Sequence, residues 1–88
     1  MKRGATRYKL AIGLEYQEQK DAAPSISLKG AELLADKVVG LAKRFGIAVV
    51  ENPELARALS ALEIEQQIPE NLFQSVAIVL DRIERRKD

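Results

Sequence analysis

The apolar residues of this chain change period part-way along it. From Tyr8 to Tyr16 the stretch YKLAIGLEY alternates, placing Leu10, Ile12 and Leu14 on one face and Lys9, Ala11, Gly13 and Glu15 on the other, as a half-buried strand does. SISL, residues 25–28, is a second short strand with Ile26 and Leu28 on one face, and the polar, proline-ended QEQKDAAP between them suits antiparallel neighbours. Lys29-Gly30 then breaks the strand. From Ala31 to Phe45 the period lengthens, so that Leu34, Val38, Leu41, Ala42 and Phe45 share one helical face, and Gly46 stands where a left-handed residue ends a helix.

IAVV, residues 47–50, is too short for a helix, β-branched, and apolar on both faces as a central strand is. Strand, crossover helix and strand predict a right-handed parallel connection. Two helices follow. One runs from Pro53 to about Leu62 with Leu55, Ala58, Leu59 and Leu62 on one side; after the connection IEQQIP, another runs from near Pro69 to about Arg85 with Leu72, Val76, Val79, Leu80 and Ile83 in register. The expected fold is mixed α/β: a small mixed sheet of about three to four strands packed with three helices, in the order β-β-α-β-α-α. It forms one domain over 1–88, with an N-terminal tail at 1–7 and a charged tail at 84–88.

Eighty-eight residues bury only about 60 to 65% of the unfolded surface, enough for one modest core. Fourteen basic residues against thirteen acidic ones lack the bias of a phosphate-backbone binder, so no nucleic acid is expected. In DRIERRKD the acids nearly offset the bases, as on a solvated tail. Cysteine is absent, which rules out disulfides and thiolate metal sites. No apolar run approaches about 18 residues, so no direct membrane insertion is expected, and Tyr8, Lys9 and Gly13 interrupt the N-terminal stretch where a signal peptide needs an apolar core. Neither histidine nor a glycine-rich phosphate loop is present. The reading is accordingly no enzyme, no catalytic residue, no metal and no cofactor.

Asn52-Pro53, in ENPELARAL, admits two chemistries. Asn52 caps a helix whose first position is Pro53 and whose Glu54 suits the dipole, or an asparagine amide attacks its own carbonyl and cuts the chain before proline. The local signals favour capping.

AIGLEY, KDAAPSISLKG, a helix, GIAVVENPELARAL and IPENLFQSVAIVL come in an order that resembles the cytoplasmic domain of the FlhB/YscU family, the specificity-switch component of flagellar and related type III protein export machines. The resemblance covers roughly residues 10 to 83, and the spaced elements are more specific together than singly. It implies a membrane-embedded half upstream and self-cleavage at an Asn-Pro-Thr-His motif just before the AIGLEY strand. Those four positions fall here on Thr6, Arg7, Tyr8 and Lys9, none of which matches. The chain therefore resembles a short stand-alone paralogue lacking the membrane half and the cleavage motif.

The resemblance further implies an apolar pocket that receives early export substrates, rod and hook type subunits, formed by an Ala-Pro pair and the last helix. Here these are Ala23, Pro24, Ala77 and Leu80. Read without the resemblance, the same four residues simply finish the core. Lys20, Asp21 and Lys29 flank the region as solvated loop charges or as guides for an extended partner. The family often has tyrosine where Ser60 and Phe73 stand. Export-gate membrane proteins are implied as partners, and the few residues before YKLAIGLEY leave one sheet edge open, on which the upstream fragment of a full-length FlhB could dock. The implied location is cytoplasmic, peripheral at the inner-membrane export gate. The alternative is an adaptor or regulatory protein that kept the fold but binds another peptide or self-associates through that edge.

Overall fold

A computed structural model describes residues 7–16 and 23–85; Lys20, Asp21 and most of both expected tails lie outside them. Strand β1 (Leu10–Glu15) pairs antiparallel with β2 (Ser25–Ala31). Ala11 lies opposite Gly30, Ile12 opposite Lys29 and Gly13 opposite Leu28; an irregularity between Gly13 and Leu14 then sets Leu14 opposite Ile26. A side chain at that step would have to displace its neighbours on β2. A Cβ on residue 13 would stand 2.8 Å from both Leu28 Cγ and Ser27 Oγ.

Lys29-Gly30 does not end the strand, contrary to the expectation from sequence. Gly30 is buried within β2, and a Cβ there would come 3.1 Å from Leu34 Cγ. The missing side chain lets the following helix close over the end of the strand. Glu32, at φ 55°, turns the chain, and its N–H donates to Lys9 O at 3.1 Å.

Helix α1 (Leu33–Arg44) ends as expected at Gly46, whose φ is 74°. Ile47 N–H donates to Ala42 O at 2.8 Å and Gly46 N–H to Lys43 O at 3.3 Å, the paired bonds of a Schellman ending. Its buried face is different from the one the spacing suggests. Ala35 and Val39 are the buried residues, whereas Leu34, Leu41 and Phe45 are exposed. Small side chains face the sheet because β1 and β2 present Ala11 and Gly30 there, which bring the helix close.

Residues 47–50 form no ladder. Among the described residues the sheet has two strands, and the expected third strand with its parallel crossover is absent. Ile47 is 63% exposed, while Val49 packs onto the cluster of Ala11, Ala35 and Val39. β-branched, two-faced composition reports how well a segment suits a sheet and supplies no neighbour for it to pair with.

Helix α2 (Pro53–Leu59) is shorter than its apolar spacing suggests, and Asn52 caps it: Asn52 Oδ1 accepts from Leu55 N–H at 3.1 Å. The connection after α2 does more than link elements. Ile26 N–H donates to Gln66 O at 3.0 Å, Glu65 N–H to Ile26 O at 2.7 Å and Ile68 N–H to Pro24 O at 2.9 Å, so residues 65–68 line the outer edge of β2. A 3-10 turn (Glu70–Leu72) leads into α3 (Phe73–Arg85).

The sheet separates two apolar clusters, since successive strand residues point to opposite faces. One gathers Ile26, Leu59, Ile68 and Val76, with Ile12, Leu14, Leu55, Leu62, Leu72 and Leu80 around them. The other holds Ala11, Ala35 and Val39 beside Tyr8, Val38 and Val49. The mixed α/β class with three helices is as expected. Replacing Gly13 by alanine forces β2 side chains aside at a packed step and is expected to cost about 1–3 kcal/mol, measured by denaturant unfolding.

Candidate functional site

The start of β2 and one face of α3 meet in a shallow hollow. Pro24 carries no N–H, so it needs no ladder donor at the strand's first step, while its carbonyl accepts from Ile68. That bond draws residues 65–68, and the helix that follows them, toward the beginning of β2. On α3, Phe73, Val76, Ala77 and Leu80 fall at i, i+3, i+4 and i+7, one side of the helix. Together with Tyr16, Ala23 and Pro24 these residues line a cavity of about 190 Å³.

All four residues proposed from the sequence lie in this lining. Ala23 and Pro24 are buried, Leu80 is half-buried and also touches the main cluster, and Ala77 is exposed. Tyr16, Phe73 and Val76 were not anticipated as lining residues. Phe73 and Val76 were legible from the helical spacing, being one turn before Ala77 and Leu80; Tyr16 required knowing how the end of β1 turns. Among the described residues no carboxylate, lysine or arginine lines the hollow. Its volume lies below the roughly 300–1,000 Å³ of small-molecule pockets, and suits a single apolar side chain.

Lys29 is not available to a partner at this hollow. Its Nζ donates to Leu62 O at 2.8 Å and Ser60 O at 3.3 Å, satisfying carbonyls just past α2. Of the positions aligned with a cleavage motif, Thr6 lies outside the described residues, and Arg7, Tyr8 and Lys9 lead into β1. Arg7 N–H and Tyr8 N–H donate to the two carboxylate oxygens of Asp36 at 3.0 and 2.8 Å, which ties this segment to α1. Tyr8 Oη donates to Glu51 Oε2 at 3.3 Å, and Lys43 Nζ donates to Tyr8 Oη at 3.4 Å. Among the described residues no group of three potential metal-ligating side chains comes together, and no helix is long and apolar enough to cross a membrane.

Residues 7–83 match the model of the FlhB HrpN YscU SpaS family. The chain belongs to that family. Its members named FlhB include that of Bacillus subtilis, a flagellar biosynthetic protein 42% identical over 78 residues, which span 88% of this chain but 22% of FlhB. The chain thus covers about a fifth of the length of such relatives. An uncharacterized B. subtilis protein, YlqH, is 35% identical over 89% of this chain and 84% of its own length. The crystal structure of the FlhB cytoplasmic domain from Shewanella putrefaciens superposes with a TM-score of 0.76 at 38% identity, over 82% of this chain and 60% of that one. The fold of this chain is thus similar to that of the FlhB cytoplasmic domain, consistent with the landmarks read from the sequence.

The carboxylate of Asp36 holds the backbone of the segment before β1 against α1, beside the contacts that Tyr8 makes with Glu51 and Lys43. Asp36→Ala removes two charge-assisted bonds and is expected to cost about 1–3 kcal/mol. Hydrogen exchange should show the amides of Arg7 and Tyr8 losing protection while those of Ile26 and Ile68 keep theirs.

Proposed function

We propose that this domain is a non-enzymatic protein-binding module of a flagellar or type III export apparatus, and that its hollow seats an apolar side chain of an early export substrate of the rod or hook type. The observation that carries this reading is the meeting of Ala23, Pro24, Ala77 and Leu80 in one lining with Phe73 and Val76, with no charged side chain among the described lining residues and a volume sized for a side chain. Membership of the FlhB/YscU family supplies the export context. The proposed location is the cytoplasm, at the inner-membrane export gate, whose membrane proteins are the other proposed partners.

Ala77 is exposed, so a charge there alters the hollow with little effect on the core. In an NMR titration with a rod or hook subunit, shifts are expected around Ala23, Ala77 and Leu80, and are expected to vanish when the subunit's N-terminal apolar segment is deleted. Ala77→Asp is expected to weaken binding tenfold or more at an unchanged melting temperature. Equal binding by both subunits, or shifts confined elsewhere, would remove the receptor role.

A second reading has its own observation. β1 pairs with β2 alone among the described residues, and the β-branched segment 47–50 has no ladder partner. An extended chain adding to this side would satisfy an open edge. In that reading the domain docks on the upstream fragment of a full-length FlhB and stands in for its C-terminal part, or acts as an adaptor for another strand or another copy. Copurification with that fragment is the expected result; no association where the relative's own C-terminal fragment binds would contradict it.

A further inference from the structure

α1 leaves much of its apolar surface uncovered. Leu34, Leu41 and Phe45 are 53%, 49% and 73% exposed, with half-buried Val38 among them. These positions run i, i+4, i+7 and i+11, the spacing of a seam along which a second helix packs. Single exposed leucines are ordinary on a small domain; a continuous row on one helix needs a reason.

Beside Leu41 the row opens into a hollow lined by Lys37, Gly40, Leu41 and Arg44, all from α1. Positions i, i+3, i+4 and i+7 on one helix are the four that enclose a knob side chain from a facing helix. Gly40 keeps the hollow open, for a Cβ at that position would meet nothing within 4 Å. Glycine in the middle of a helix is destabilising relative to alanine, and no contact among the described residues requires it.

The rim is cationic. Lys37 and Arg44 have no hydrogen-bond or ion-pair partner among the described residues. Asp36, the acid of this helix, is turned to the backbone of Arg7 and Tyr8, and Lys43 is engaged with Tyr8. A partner therefore meets an apolar row with two positive charges along one side that no described residue neutralises. A lipid surface would answer the charge but has nothing to fill a hole of this geometry; a helix bearing apolar knobs and acidic flanks answers both.

We propose that this face of α1 docks an amphipathic helix of another protein, with one apolar side chain over Gly40 and acidic side chains beside it paired with Lys37 and Arg44. The surface is distinct from the hollow between β2 and α3.

The probe is a designed three-heptad peptide with Leu at positions a and d and Glu at e and g, set against the same peptide with Lys at e and g. Titrated into the isotope-labelled domain, the Glu peptide is expected to shift the amides of residues 33–45 and to bind at least tenfold more tightly than the Lys peptide. Lys37→Glu combined with Arg44→Glu is expected to reverse that preference. Gly40→Leu, which fills the hollow without touching the core and removes a mid-helix glycine, is expected to weaken the Glu peptide tenfold or more while the melting temperature rises or holds. Equal binding of the two peptides, or no response in α1, overturns the proposal. So does a response of α1 to phosphatidylglycerol vesicles or to rising protein concentration in the absence of any response to the peptide, since the face would then belong to lipid or to a second copy.

Discussion

The backbone bonds around Ile26 hold the two halves of this domain together. β1 lies along one edge of β2, and residues 65–68 lie along the start of the other through three bonds that involve the peptide groups of Pro24, Ile26, Glu65, Gln66 and Ile68. Ile26 is fully buried at that junction, touching a cluster drawn from α2, α3 and the turn between them. The bonds from 65–68 fix where the helix that follows stands against β2, and the apolar cluster it completes supports a two-stranded sheet that alone is marginal in water. Pairing supplies direction, and apolar burial supplies most of the stabilisation.

The hollow of Ala23, Pro24, Phe73, Val76, Ala77 and Leu80 follows from the same junction. Pro24 contributes its carbonyl to Ile68 and has no N–H to satisfy, so the chain before β2 remains close to α3 without a further strand between them. The outcome is an apolar depression at the meeting of a strand start and a helix face, lined among the described residues by apolar side chains and Tyr16. Such a site has the means to hold an apolar side chain. The proposed export-receptor role rests on this depression together with family membership.

Much of this was legible from local chemistry. Alternation in YKLAIGLEY marked β1, Gly46 and Asn52-Pro53 marked an ending and a beginning, and the spacing of Val76, Val79 and Leu80 marked α3, because each of these signals acts within a turn or a strand. Three features were not. Gly30 reads as a breaker in a one-dimensional sequence, yet it lies inside β2 because α1 must approach closely there. Residues 47–50 have the composition of a strand, but a ladder depends on a neighbour far along the chain. In α1 two faces compete: the large residues Leu34, Leu41 and Phe45 win any hydrophobicity count, while the small ones, Ala35 and Val39, fit against Ala11 and Gly30. Of the hollow, the four residues carried by the family resemblance were legible and Tyr16 was not, since its place is set by tertiary geometry alone.

Native-state hydrogen exchange, followed residue by residue, tests most directly whether the junction at Ile26 organises the domain. The amides of Ile26, Glu65 and Ile68 are expected to exchange together, at the slowest rates in the molecule and with the denaturant dependence of global unfolding. If Glu65 and Ile68 instead exchange through a small local opening while the amides between β1 and β2 remain protected, the clamp is peripheral, and the hollow beside it is not held by the core.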